Sequence, residues 1–233
     1  MISKRTLTRL LLAAASLLCM LSLSTTAAWA EAAKAEVLSA LKNRYADITG
    51  IAADYTRTAT SPAMEKTYKA SNRHVAEGRL LFKKPNKLRL DQTSPDPELL
   101  LTDGTTVWWY IPEENVVQKY SSRNLMTQLQ PLLDFLNGLG DLEKSFTVAL
   151  MHIQVKGESR YELSLAPKSE GTGLSELKVW FKSDNYTLTG FRITSTLREV
   201  TDFELRVVRF NPGISDSRFQ FQVPDEAEVI DMD

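Results

Sequence analysis

The amino-acid sequence predicts a mainly β protein with helices (α+β): one antiparallel sheet of about eleven strands that either closes on itself or stays an incomplete barrel with helices across its mouth, and in both forms leaves an apolar interior. Three observations lead to this prediction. Apolar and polar residues alternate with a period of two over much of the chain after residue 50. Turn-forming pairs such as Asp103-Gly104 and Lys156-Gly157 separate the alternating segments. Only two segments have helical spacing, and two short helices cannot fill the concavity of so large a sheet.

The first 30 residues have the pattern of a secretory signal peptide. Three basic residues precede an uncharged apolar run over residues 10–24. This run of 15 residues is shorter than the roughly 20 that a membrane-spanning helix needs. The small-x-small pattern of a cleavage site follows at residues 28–30. We therefore predict cleavage after Ala30 and a single domain over residues 31–233, because no linker, repeat or charge block divides that part of the chain.

Charge and cysteine content exclude several classes of partner and chemistry. Cleavage after Ala30 removes three of the 28 basic residues and none of the 29 acidic ones, which leaves a net charge of −4. Such a domain has no electrostatic reason to bind nucleic acid or an anionic membrane surface. The only cysteine, Cys19, lies in the apolar run. We thus expect no disulfide, no thiol nucleophile and no thiolate metal site in the mature chain.

The two segments with helical spacing lie at residues 32–48 and 124–140. In the first, apolar residues such as Val37, Leu41 and Tyr45 share one side. In the second, an apolar stripe comprises Leu125, Leu129, Leu132, Leu136 and Leu139. Because Pro131 interrupts this stripe, we expect two short helices or a first turn there. Both segments are candidate covers for the apolar side of the sheet.

The alternating segments predict strands with one apolar and one polar side. Leu99 to Leu101 lead through the Asp103-Gly104 turn into the aromatic run at residues 107–111, which predicts a hairpin. The apolar sides of the other clear strands are Leu80 and Phe82; Leu88 and Leu90; Ala149, Met151, Ile153 and Val155; Tyr161, Leu163 and Leu165; Leu177, Val179 and Phe181; and Phe203, Leu205 and Val207. We expect these strands to form one continuous meander.

Residues with catalytic or metal-binding potential are sparse. His74 and His152, the two histidines of the chain, stand among polar neighbours, and solvent-exposed histidines are the ordinary interpretation. No nucleophile elbow, phosphate-binding loop or metal-ligand spacing occurs. The sequence therefore predicts no enzyme, no cofactor and no metal site.

One stretch has a recognisable pattern of motifs. Between residues 78 and 112 a strand ends in a basic residue before Pro85-Asn86, an extended strand follows, and an Asp-Gly hairpin leads into aromatic residues and Pro112. This pattern resembles the central signature of the LolA family, the periplasmic outer-membrane lipoprotein carrier proteins of Gram-negative bacteria. A looser resemblance extends over residues 31–230 and includes both helical segments. It ends in a closing F-x-F-x-x-P motif formed by Phe219, Phe221 and Pro224.

The resemblance implies a single incomplete antiparallel β-barrel with a helical lid over an apolar cavity that shields the acyl chains of lipoproteins. It places the protein in the periplasm, where we expect it to be a monomer. It implies acylated lipoproteins, an inner-membrane ATP-driven release complex and an outer-membrane lipoprotein receptor as partners. In the best-known members an arginine before the Pro-Asn pair latches the lid through backbone contacts, and a phenylalanine shortly after the pair meets the acyl chains. Lys84 and Leu88 occupy these positions here. Lysine lacks arginine's planar fork of donors, so a latch at Lys84 would be looser or differently built.

Pattern and resemblance together predict the residues of the site. A carrier must cover acyl chains, which contribute about 0.8 kcal/mol per buried CH2 group, and still release them to a receptor. The expected cavity lining is Leu80, Phe82, Leu88, Leu90, Leu99, Leu101 and Trp109. The expected lid residues are Leu125, Leu129, Leu132 and Leu136.

Three alternatives remain beside a carrier. The first is a regulatory module of the same fold that binds lipids or an anti-sigma factor. The second is an anchored receptor, which would need an acylated cysteine at the mature N-terminus. The third is an enzyme such as a lipid hydrolase, which would need a nucleophile paired with His74 or His152.

Overall fold

The computed structural model describes residues 32–61, 75–121, 133, 136, 137, 142–169, 171 and 173–232. The chain divides after Leu41 into two compact units. That division falls within the first helix, α1, which spans residues 32–46. The unit from Lys42 onward holds every strand of the described sheet.

The described sheet contains twelve strands. These are β1 (Gly50–Thr60), β2 (Val75–Lys83), β3 (Lys87–Ser94), β4 (Glu98–Thr102), β5 (Thr106–Ile111), β6 (Val116–Ser121), β7 (Phe146–Val155), β8 (Glu158–Pro167), β9 (Leu174–Lys182), β10 (Leu188–Ser195), β11 (Val200–Phe210) and β12 (Glu228–Asp231). A short helix, α2 (Leu142–Ser145), precedes β7, and a 3-10 helix covers Asp216–Phe219.

The strand order is β12-β6-β5-β4-β3-β2-β1-β11-β10-β9-β8-β7. The prediction of a mainly β fold with an open antiparallel sheet is confirmed, although β12 adds a strand that pairs parallel to β6. The prediction of one continuous meander is wrong, since β1–β6 and β7–β11 form two meanders that meet where β1 pairs with β11. The chain between β6 and β7 therefore connects the two ends of the antiparallel sheet.

Asn211, directly after β11, stabilises the junction between the two meanders by side-chain hydrogen bonds. Its side-chain Oδ1 accepts hydrogen bonds from the backbone N–H groups of Thr49 at 2.7 Å and Gly50 at 3.3 Å. Its Nδ2 donates to the carbonyl oxygen of Asp47 at 3.0 Å. One side chain after β11 thus replaces the backbone partners of the residues that lead into β1.

The two faces of the sheet differ in what they carry. We call the face with Phe82 and Phe181 the front face and the other the back face. On the front face buried rings lie in contact across β1, β10 and β11: Tyr55 lies 5.4 Å from Phe203, and Phe203 lies 4.6 Å from Phe191, between ring centroids. These contacts make the front face of the sheet's centre an apolar core.

The C-terminal segment covers part of the back face. Phe219 is 1% exposed and forms a buried cluster with Ala52 and Leu81. Phe221 contacts the ring of Trp108, with centroids 5.6 Å apart. The F-x-F-x-x-P motif thus supplies the cover that allows apolar residues to occupy both faces of β1, β2 and β5.

One predicted strand face is wrong in phase, and a second is right for Phe203 and Leu205 but wrong for Val207. In β7 the set Ala149, Met151, Ile153 and Val155 lies on the back face, and Met151 is 51% exposed. The front face takes the other set, beginning with the buried Phe146. In β11 a bulge opposite Ala52 and Asp54 shifts the alternation, which leaves Val207 64% exposed.

Candidate functional site

A cavity of about 220 Å3 opens on the front face of β1, β3, β4 and β5. The strand register builds it, because Leu90, Leu100 and Trp109 lie directly opposite one another on β3, β4 and β5 and therefore share a face. All three side chains are half-buried. The full lining is Tyr55, Arg57, Leu90, Gln92, Glu98, Leu100 and Trp109.

Three of the predicted lining residues share the front face but are packed inside it. Leu80 is 3%, Phe82 0% and Leu88 1% exposed. They form the layer beside the cavity, whereas Leu90 and Trp109 border the open space.

The prediction placed Leu99 and Leu101 in the same lining, but the register puts them on the back face. Leu101 lies opposite Arg89, and Leu99 opposite Asp91, and neighbours across a ladder point to one side. In a run of three leucines only Leu100 turns to the front. Leu99 and Leu101 are nevertheless shielded from water on the back face, since Leu101 is fully buried there and Leu99 is half-buried.

Polar groups form one end of the cavity. The Trp109 indole nitrogen donates to Glu98 Oε2 at 3.0 Å, and Arg57 Nη2 donates to Gln92 Oε1 at 2.9 Å. Gln92 Nε2 donates in turn to the carbonyl oxygen of Asp96 at 2.8 Å. Arg57 Nε is buried and has no hydrogen-bond partner in the described structure.

Tyr55 and Arg57 were missed by the sequence analysis, together with Gln92, Glu98 and Leu100. Tyr55 is 2% exposed, and burial raises the pKa of its hydroxyl to about 12, although Arg57 acts in the opposite direction. The sequence does contain a feature that could have placed Arg57 in the site. Arg57 continues the alternating set Ile51, Ala53 and Tyr55, so it must lie on the same face of β1.

Of the predicted lid residues, Leu125, Leu129 and Leu132 lie outside the described residues. Leu136 is helical and 4% exposed. Next to it, Asn137 Nδ2 donates to Asn86 Oδ1 at 3.0 Å. The segment before β7 is thus hydrogen-bonded to the turn that contains the Pro-Asn pair.

Lys84, the candidate latch, lies beside the C-terminal end of α1. Its Nζ is 3.5 Å from the carbonyl oxygen of Tyr45, and its backbone N–H donates to the Thr49 carbonyl at 2.9 Å. Burial lowers the pKa of the Lys84 ammonium, which the charge of Asp47 partly offsets. A contact of 3.5 Å is a weak hydrogen bond. Of the two side-chain contacts made by the Lys84–Asn86 turn, the Asn137–Asn86 bond is therefore the stronger.

A second groove, of about 450 Å3, lies on the back face over β7 to β11 and β1. At its centre Glu162, 8% exposed, accepts hydrogen bonds from Lys178 Nζ and the Trp180 indole, each at 2.8 Å. Burial acts to raise the pKa of Glu162, but these two donors outweigh it and hold that pKa below its usual value. The carboxylate at the centre of this groove is therefore satisfied, although the buried Nε of Arg160 in its lining has no hydrogen-bond partner in the described structure.

The described residues offer little for catalysis. Among them no three histidine, cysteine or acidic side chains come together in a way that could hold a metal ion. His152 is exposed, its Nε2 lies 2.5 Å from Ser159 Oγ, and its ring contacts Tyr161. His74 lies outside the described residues. None of the helices in the described part of the chain combines the length and apolar character needed to cross a membrane.

Several known proteins resemble this chain over most of its length. A protein described as an outer-membrane lipoprotein carrier protein, from Methylobacillus flagellatus, is 28% identical over 155 residues, which is 66% of this chain and 72% of that protein. One of the same description from Leptothrix cholodnii is 26% identical over 204 residues, covering 88% and 90%. A crystal structure of an uncharacterized conserved protein from Thermus thermophilus superposes with a TM-score of 0.51 at 11% identity, covering 85% of this chain and 99% of that one; it shows the fold alone. The family model described as outer membrane lipoprotein carrier protein LolA matches residues 47–222, and the chain therefore belongs to the LolA family.

Proposed function

We propose that the protein is a periplasmic carrier that shields the acyl chains of lipoproteins without catalysing a reaction. It takes them from an inner-membrane, ATP-driven release complex and delivers them to an outer-membrane receptor. Residues 1–30 direct export and are removed, and residues 31–233 form the carrier domain. The cargo is an acylated lipoprotein, and no cofactor takes part.

The observation that carries this proposal is the half-buried apolar surface around the front cavity. Leu90, Leu100 and Trp109 remain partly accessible on a face whose neighbouring residues are packed to near-complete burial. Accessible apolar surface inside a cavity is what an acyl chain needs, because each CH2 group removed from water contributes about 0.8 kcal/mol.

One contact of the expected lid bears on release. In the described part of the chain, Asn137 of this segment donates one hydrogen bond to Asn86, and such a bond is worth about 1 kcal/mol. A segment held in this way can be displaced by a ligand that binds the front face more tightly than the lid does.

A release assay tests the proposal. Purified residues 31–233 are added to spheroplasts with ATP, and soluble lipoprotein in complex with the carrier is measured in the supernatant. Leu90→Gln and Leu100→Gln place amides on the accessible apolar surface, and we expect release to fall at least about tenfold. Met151→Gln, an exposed apolar position on the back face, is the matched control and should release normally.

Failure of the unmodified protein to release any acylated lipoprotein would contradict the carrier function. Co-purification of an envelope regulator in place of lipoprotein would favour the regulatory module instead. Equal loss in all three variants would show that the front cavity has no special role.

A further inference from the structure

An arginine with unsatisfied donors lies at the polar end of the front cavity. Arg57 is half-buried and shares the cavity with Glu98, but it forms no ion pair with any carboxylate of the described residues. Within the described structure its side chain forms one hydrogen bond, from Nη2 to Gln92, and its Nε is buried without a partner there. Buried charges and buried donors in proteins are nearly always satisfied, so this guanidinium has donors to offer to a ligand.

The neighbouring polar groups show what kind of ligand fits. Glu98 already accepts from the Trp109 indole, and the Gln92 amide already bonds on both sides. Among these groups, Arg57 contributes guanidinium N–H donors that no residue of the described structure occupies. A ligand must bring an oxygen acceptor to them, since arginine accepts no hydrogen bond.

The same ligand must also bring hydrocarbon, because Leu90, Leu100 and Trp109 form the rest of the lining. An acceptor attached directly to an alkyl chain is the carbonyl of a fatty ester or a fatty carboxylate. Glu98 lies in the same cavity, and its negative charge disfavours a second carboxylate and a phosphate alike. A neutral ester carbonyl avoids that repulsion.

We propose that Arg57 binds the ester carbonyl at the head of a bound acyl chain, so that the front cavity recognises the diacylglyceryl linkage of a lipid-modified protein and not only its hydrocarbon. This inference rests on the proposed carrier function and names the part of the cargo that the cavity recognises. Arg57 positions the head of the chain, and the apolar lining receives the methylene groups beyond it.

Direct binding measurements with defined probes test this assignment. The probes are a synthetic lipopeptide with an S-dipalmitoylglyceryl cysteine, its dialkyl-ether analogue, which lacks the two carbonyl groups, and sodium palmitate. The variant is Arg57→Met, which keeps an unbranched apolar stem and removes the guanidinium donors. The matched control is Arg79→Met, because Arg79 lies on the back face of neighbouring β2.

We expect Arg57→Met to weaken binding of the ester lipopeptide about tenfold or more, as the loss of a hydrogen bond to a charged group does. Binding of the ether analogue should change less than about threefold, and Arg79→Met should leave both unchanged. Circular dichroism of the variants confirms the fold.

The other outcomes overturn the assignment in distinguishable ways. Equal weakening of ester and ether probes means that Arg57 acts through packing alone, and the carrier function still stands. Dependence on Arg57 for palmitate but not for the lipopeptide means that the ligand is a fatty carboxylate. If the unmodified protein binds neither lipopeptide, the proposed carrier function itself fails.

Discussion

Replacing Gly78 by alanine should destabilise the protein, because strand β3 passes unusually close to this glycine. A Cβ atom built at residue 78 would lie 2.2 Å from the carbonyl oxygen of Asp91, 2.7 Å from the hydroxyl oxygen of Tyr55 and 2.8 Å from Cα of Gln92. Ordinary contact begins at 3.4 Å. Two of the three neighbours are backbone atoms, so no side-chain rotation can relieve the contact.

The magnitude follows from the movement required. Strand β3 would have to withdraw by about 1 Å at Gln92, and overpacking of this kind costs about 1–3 kcal/mol. We expect the upper end, about 3 kcal/mol, since the strand pair must separate where a register shift already occurs beside Gly78. In a protein of this size such a loss lowers the Tm by about 6–12 °C.

Urea denaturation followed by circular dichroism measures the loss, with thermal unfolding as a second readout. Arg79→Ala is the control, since it changes a residue one position along the same strand and should alter the free energy of unfolding by about 0.5 kcal/mol or less. If Gly78→Ala were as stable as this control, the close approach of β3 to β2 would be refuted, and with it the position of Gln92 beside Arg57.

Three further substitutions test other parts of the structure. Phe219→Ala empties a fully buried site on the back face and should cost about 3–5 kcal/mol in urea denaturation; a loss below about 1 kcal/mol would contradict the cover that this segment provides. Glu162→Gln tests pH dependence: Lys178 helps to hold the pKa of Glu162 below its usual 4.5, so its stabilising contribution is present above that pH and lost as the pH falls further. The variant should therefore lose less stability than the unmodified protein between neutral pH and acid, and an unchanged acid unfolding curve would count against the network. Tyr45→Phe removes the 2.9 Å hydrogen bond to the Tyr186 carbonyl and should lower the free energy of unfolding by about 1 kcal/mol. An unchanged free energy of unfolding would show that this hydrogen bond does not stabilise the fold.

The strands were predictable from sequence where one alternating set was clearly apolar and the other clearly polar. In β8 and β9, Leu163 and Val179 have charged or polar neighbours in sequence, and both lie on the front face as predicted. Strand β7 carries apolar residues in both alternating sets, and it is an edge strand with a neighbour on one side only in the described sheet. Alternation alone could not decide its phase, and the wrong set, which includes Met151, was chosen.

The back face shows a second limit of sequence reasoning. A run of three leucines at 99–101 has no period, so its phase depends on what covers each face. Leu101 lies opposite Trp108 on this face, and Trp108 is in contact with Phe221, more than a hundred residues later in the chain. No local pattern carries this information, and the two outer leucines were therefore assigned to the wrong side.

The polar end of the cavity was missed for a different reason. Hydrophobic alternation identifies a core by the absence of charge, and Arg57 interrupts the apolar set that precedes it in β1. A binding site is expected where a residue breaks the local alternation of apolar and polar residues and no other group in the structure satisfies it. Strict continuation of the period through Arg57 would have located the site.

The pairing of β1 with β11 also constrains how the chain folds. Each meander can form from neighbouring hairpins, but the sheet becomes continuous only when residues such as Tyr55 and Leu205 meet. Contacts between residues so distant in sequence form slowly, because a long loop must close before they contribute. During synthesis, which begins at the N-terminus, β1 keeps one unpaired edge until β11 has been made. An unpaired strand edge can pair with other chains. A truncation that ends before residue 200 would leave this edge permanently open, so such fragments should aggregate even though β1–β6 are intact.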